Sequence, residues 1–307
     1  MRQRPLLFAL LSLLVLAAYA AADEEPASTP APGVEGVSPL GETFIVPMEN
    51  APYPHSSREE GFTNSSGKHW PKDPHYTDSS VGFFVPAGFR AGERVDLLFY
   101  FHGHGNSVRE SFETMHLREM VAASGRNVIF VFPEGPKNAG DSGGGKLEDP
   151  GVFALLVDEV MAELDKRGIA PGAKPGRILL SGHSGAYRVI SYILEHGGME
   201  ANIEEVYLLD ASYARTEQYS AWAARNSGAR FVSIFTNHLA ARNVEIMTQL
   251  TKSGTEYAVV AHPDLSEQIL LENRVLFVHT QDLDHNGTVG TLETWLSSSR
   301  LDPIAAE

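Results

Sequence analysis

Short runs of β-branched and aromatic residues recur along the chain, at Val81 to Val85, Val95 to Phe101, Asn127 to Phe132, Arg177 to Leu180, Glu205 to Leu209, Arg230 to Phe235 and Arg274 to Thr280. Amphipathic stretches separate them. Continuous apolar runs suit strands buried on both faces, and strands alternating with helices imply a mostly parallel sheet covered on both sides. Ser107 with Glu110 makes a capping box for one helix. Asp149-Pro150 offers an N-cap and an N1 proline for another, whose apolar stripe is Phe153, Leu156, Val157, Val160 and Leu164, and Gly168 after Lys166-Arg167 stops it. A final helix is predicted over 289–296. Between Asn50 and Thr77 a polar segment rich in Pro, Ser and His shows no period, and no element is assigned to it. No internal repeat is visible.

The start reads differently. Basic Met1-Arg2-Gln3-Arg4 leads into an apolar run from Pro5 to Ala18, followed by Ala20-Ala21-Ala22, which is the anatomy of a cleaved signal peptide over 1–22. Residues 23–40, polar and rich in Pro and Ala, read as a flexible leader to a domain over 41–307. The mature protein is expected to be exported, periplasmic or extracellular, with no segment that inserts in a membrane.

Composition narrows the field. The 307 residues are 43% hydrophobic, with 39 acidic against 24 basic side chains for a net charge of −15, and Cys is absent. This excludes a disordered chain and a disulfide scaffold. With no run of five Lys or Arg to neutralise phosphates, nucleic acid is not an expected partner.

The most informative segment is Arg177-Ile-Leu-Leu-Ser181-Gly182-His183-Ser184-Gly185-Ala186-Tyr187, which reads as strand, sharp turn, helix. A serine at such a turn projects its hydroxyl from the C-terminal edge of the sheet, and small neighbours are required where strand and helix approach closely. The N–H of Gly185 then faces developing negative charge, as acyl transfer needs. Leu98 to Phe101 ends in His102-Gly103-His104-Gly105, a turn whose backbone amides at His104 and Gly105 are candidate partners for the same oxyanion.

An unassisted hydroxyl is a poor nucleophile at neutral pH, so Ser184 needs a base, and an imidazole base needs a carboxylate to fix its tautomer. Asp210 closes Val206 to Leu209, and His285 follows the run ending at His279. The chain order nucleophile, acid, base is therefore Ser184, Asp210, His285. The strand at Arg230 to Phe235 ends in Thr236-Asn237-His238 with no acid, which moves the acid one strand earlier. Asp284 and Asp264 stand in reserve as acids, and His279 and His238 as bases.

On Gly182 to Ala186, His102 to Gly105, Asp210 and His285, taken in that order, the chain resembles the α/β-hydrolase superfamily over roughly residues 42–300. The resemblance implies a central, mostly parallel sheet of about eight strands, an acyl-enzyme intermediate, and hydrolysis with neither metal nor cofactor. Ala186 departs from the usual last glycine of the turn, and the acid follows the sixth strand where the seventh is usual. The expected activity is that of a serine hydrolase cleaving carboxylic esters, its partner a small or polymeric acyl ester. Amide or peptide cleavage, including of cell-wall material, is the alternative on the same residues.

A rival reading comes from Asp282-Leu-Asp284-His285-Asn286-Gly287-Thr288-Val-Gly-Thr-Leu-Glu293, which has oxygens at the ligand positions of a calcium loop, through Asp282, Asp284, Asn286, Thr288 and Glu293. It would make the chain a non-catalytic calcium-binding module. A true loop of this type needs a preceding helix, whereas a strand-like run precedes Asp282. The glycine-rich Asp141 to Lys146 reads as a passive connector or as a pocket border, and its spacing is not that of a phosphate loop. His55, His69 and His75 are too widely spaced to argue a metal site.

Overall fold

The computed structural model describes residues 34–305, so the expected signal peptide and residues 23–33 of the leader lie outside the described residues. Twelve strands occur in them: β1 Gly36–Ser38, β2 Gly41–Pro47, β3 Phe62–Thr63, β4 His69–Trp70, β5 Ser80–Pro86, β6 Arg94–Phe101, β7 Ile129–Pro133, β8 Lys174–His183, β9 Ile203–Leu209, β10 Arg230–Phe235, β11 Ala258–Ala261 and β12 Val275–His279. Ten form one sheet in the order β1-β2-β5-β7-β6-β8-β9-β10-β12-β11, and β3 pairs with β4 apart from it. From β7 across to β11 every pairing is parallel, while β5 runs antiparallel to both β2 and β7. Without the outer strands β1 and β11, this is the eight-stranded α/β-hydrolase fold.

The seven strands expected from the apolar runs are all present, with ends shifted by a few residues. They are predominantly apolar because helices cover both faces of the sheet. Phe153, Leu156, Val160, Ile190, Trp222 and Ile246 pack on one face; Val108, Phe112, Val121, Leu292 and Trp295 pack on the other. Two expectations are corrected. The leader does not extend to residue 40, since β1 pairs with β2 and Val34 is buried in the second layer. The helix expected to start at Asp149-Pro150 is Val152–Lys166 with Gly151 at φ 76° before it. Its Gly151 N–H donates to the His196 carbonyl, and the Asp149 carboxylate turns to His55 at 3.1 Å. Ser107 caps its helix as expected, accepting from the Glu110 N–H.

Parallel strands put their C-terminal ends at one edge. The register pairs Phe101 with Gly182, His183 with Leu209, Leu209 with Ile234, and Phe235 with His279. The residues immediately after β6, β8, β9, β10 and β12 therefore meet along one rim.

Candidate active site

Ser184 follows β8 directly, at φ 55°, and a 3-10 turn over Ser184–Ala186 leads into the helix Tyr187–His196. A non-glycine residue is held in the left-handed region only where its surroundings over-determine it. Here Gly103 leaves no slack, because a Cβ on it would lie 2.7 Å from Ser184 Cβ. The departure at Ala186 has its own explanation. A Cβ at Gly182 would lie 2.5 Å from Ala186 Cβ, so the glycine before the serine makes the room that the alanine after it fills.

Asp210 follows β9 at φ 47° and is fully buried. Its Oδ1 accepts the Thr236 N–H at 2.9 Å, and its Oδ2 accepts the Thr236 hydroxyl at 3.0 Å and His285 Nδ1–H at 2.7 Å. Burial pushes this carboxyl up. The hydrogen bonds from His285 and Thr236, together with the nearby His238, outweigh that and hold it below the usual carboxylate range. An ionised carboxylate on Nδ1–H leaves Nε2 of His285 as the basic nitrogen.

The His285 ring is packed from three sides. His183 lies tilted against it at 4.4 Å between ring centres, His238 stands edge-on at 5.6 Å and Tyr213 perpendicular at 6.3 Å. His183 Nε2–H donates to the His285 carbonyl at 3.0 Å, which anchors the loop that presents the base. Burial pushes the His183 imidazole down to about 4, so it stays neutral. The ionisation of the Tyr213 phenol is pushed up by burial and by the charge of Asp210. Among the described residues no hydrogen bond links Ser184 to His285; such contacts are often long before substrate binds.

The oxyanion candidates divide. Gly105 is corrected: its N–H donates to the Ala139 carbonyl at 2.9 Å and is not free for substrate. The His104 ring sits over Gly185, where an added Cβ would meet it at 2.8 Å, and its Nε2 is 2.8 Å from Ser142 Oγ. Buried His102 holds the turn, with Nδ1–H donating to the Gly103 carbonyl at 2.7 Å and Nε2 lying 3.0 Å from the Gly135 nitrogen and 3.1 Å from Glu134 Oε1. A pocket of about 20 Å³, room for one water, lies beside Gly185 between Phe101, Pro133, Ser142 and Val189. A larger hollow of about 780 Å³ at Glu256, Arg274 and Arg300 lies by the start of β12, at the other edge of the sheet.

The remaining candidates are engaged elsewhere. Asp284 caps the Gly287 N–H at 2.6 Å, Asp264 sits in the turn after β11, and His279 bonds Asn237 at 2.8 Å. Asp282 is taken by His262 at 2.9 Å and by the Thr280 hydroxyl at 2.8 Å. Strand β12 precedes that loop where a calcium loop needs a helix, and Thr288 is buried and donates to the His285 carbonyl. The calcium reading is therefore set aside. Among the described residues one group, Asp210, His238 and His285, brings ligand-type atoms within 4.8 Å of one another.

Sequence reasoning gave no role to the segment 50–77 and left the glycine-rich loop as either a passive connector or a pocket border; it borders the small pocket beside Gly185. Arg58 forks onto Asp141 at 2.6 and 3.0 Å, and the Tyr53 hydroxyl donates to the Gly143 carbonyl at 3.0 Å. The loop is pinned, and Ser142 on it reaches the site. Tyr213, three residues past Asp210, and Thr236 were also missed. Both earn their place only through convergence of β9 and β10.

No family model matches the chain, and no curated protein matches it. Among solved structures it is similar to the feruloyl esterase module from Clostridium thermocellum complexed with sinapinate (11% identity over 88% of this chain and 92% of that one, TM-score 0.49). It is also similar to a ferulic acid esterase from Anaeromyces mucronatus in complex with ferulic acid (14%, 82% and 99%, TM-score 0.45). A third is the hyperthermophilic esterase from the archaeon Pyrobaculum calidifontis (14%, 71% and 79%, TM-score 0.43).

Proposed function

We propose that the chain is a serine hydrolase cleaving carboxylic esters, with Ser184 as nucleophile, His285 as base and Asp210 as acid. The observation that supports this most directly is the 2.7 Å bond from His285 Nδ1–H to a buried, ionised Asp210 at the rim where Ser184 stands on its strained turn. In the reaction, His285 Nε2 takes the Ser184 proton as Oγ attacks the ester carbon. The tetrahedral oxyanion is met by the N–H groups of Gly185 and His104, and the proton passes to the leaving alcohol. Water then attacks the acyl-enzyme by the same route and releases the acid. Asp210 holds the imidazole tautomer and stabilises its cation.

The test is labelling with a fluorophosphonate and turnover of p-nitrophenyl acetate. Labelling confined to Ser184 and a fall in kcat of about 10³- to 10⁴-fold in Asp210→Asn, with an unchanged melting temperature, are expected. A folded protein that takes no label overturns the reading. Export is proposed from the N-terminal residues, and an N-terminus beginning at Asp23 in secreted material would bear it out. No helix among the described residues is long and apolar enough to cross a membrane.

A further inference from the structure

Asp210 has a second branch, and its hydrogens can be placed. As a carboxylate Asp210 only accepts. The Thr236 hydroxyl, 3.0 Å from Oδ2, donates its one proton there, since a lone pair aimed at the carboxylate would be repelled. Thr236 Oγ1 then offers only lone pairs to His238 Nδ1 at 2.6 Å, so that nitrogen bears the hydrogen. In the tautomer with its one hydrogen on Nδ1 the ring is bare at Nε2, and the Tyr213 hydroxyl, 2.8 Å away, donates to it. In that state the phenol oxygen faces the site with lone pairs alone.

The position of that acceptor matters. The leaving alcohol collects its proton from His285 Nε2 and must lie beside that ring, where Tyr213 stands perpendicular to it.

We propose that Tyr213 is a specificity-determining residue that accepts a hydrogen bond from a free hydroxyl on the alcohol part of the substrate, so that the preferred substrates are esters of polyols. The proposal rests on the ester-hydrolase reading above. Because the His238 side chain is 47% exposed, water competes for the phenol, and the advantage should be about 5- to 10-fold, not the far larger factor of a sealed site.

The experiment compares kcat/KM for glycerol 1-acetate and propyl acetate, which share the acyl group, in the wild type and in Tyr213→Phe. The glycerol-to-propyl ratio should be about 5- to 10-fold higher in the wild type. Nitrogen chemical shifts of the His238 ring supply a readout besides activity: protonated Nδ1 and bare Nε2 are expected. Equal ratios in an enzyme that takes the fluorophosphonate label, or an Nε2–H tautomer of His238, overturn the proposal alone. Failure of the wild type to cleave either ester, with no label on Ser184, overturns the ester reading and this proposal together.

Discussion

Gly182 and Ala186 share one small volume beneath the serine turn: a Cβ on the first would stand 2.5 Å from that of the second and 2.8 Å from Ile190 Cδ1. Gly182→Ala should therefore lower stability by about 1–3 kcal/mol, since overpacking at a close strand–helix approach displaces backbone. The companion change Ala186→Gly vacates the space, and the double variant should recover part of the loss. Urea unfolding of the three variants measures this, and additive losses would count against the shared volume.

The backbone at Ser184 makes a separate claim. At φ 55° any residue with a Cβ is strained, and glycine is not. Ser184→Gly should be more stable than Ser184→Ala by about 1 kcal/mol. Both lack the hydroxyl and neither should take the fluorophosphonate label, so thermal unfolding isolates the backbone term from the chemistry.

The strands were legible because burial on both faces leaves largely apolar runs, as in Val206 to Leu209 and, but for Ser233, Phe231 to Phe235. Strand β2 was not, because it lies next to the edge and its pattern mixes buried Phe44 with half-exposed Ile45 and Val46. Asp149-Pro150 looks like a helix start in one dimension, but whether an aspartate caps depends on competing partners, and His55 lies 94 residues away. The order Ser184, Asp210, His285 was readable because each residue ends a recognisable strand or follows one. Tyr213, Thr236 and Arg58 belong to no motif; they gain meaning from neighbours that only the closed sheet supplies. Gly105 failed as an oxyanion donor because its amide is taken by a carbonyl distant in the chain, that of Ala139 in the loop after β7.

Arg58 and Asp141 form the bond that ties the segment before β5 to the loop bordering the site. Their side chains are only 14% and 4% exposed, so Arg58→Ala leaves a carboxylate nearly buried and unpaired, at a cost of about 3 kcal/mol. Asp141→Asn in that background should restore part of the stability, because the amide oxygen can still accept the Gly143 N–H. A double-mutant cycle by chemical denaturation gives the coupling. Activity should fall in Arg58→Ala as well, since Ser142 follows Asp141 and bonds His104 over Gly185.

His183 makes stability depend on pH in one direction. Burial, and secondarily the nearby His285, push its imidazole down to about 4, against an ordinary value of 6.5. Above pH 6.5 the ring is neutral whether the chain is folded or not, and it contributes no slope. As pH falls below 6.5 the unfolded chain binds a proton that the folded one refuses, so stability is lost progressively until about pH 4, where both forms are protonated. The full loss is about 3 kcal/mol. His183→Gln keeps a side-chain N–H for the His285 carbonyl and has no proton to gain. Its unfolding free energy, measured in urea at pH 7, 6, 5 and 4, should fall less toward acid than that of the wild type, with the gap opening between 6.5 and 4. Parallel curves would assign the acid sensitivity to other groups and would mean that the ring beside the base is solvated in the folded protein.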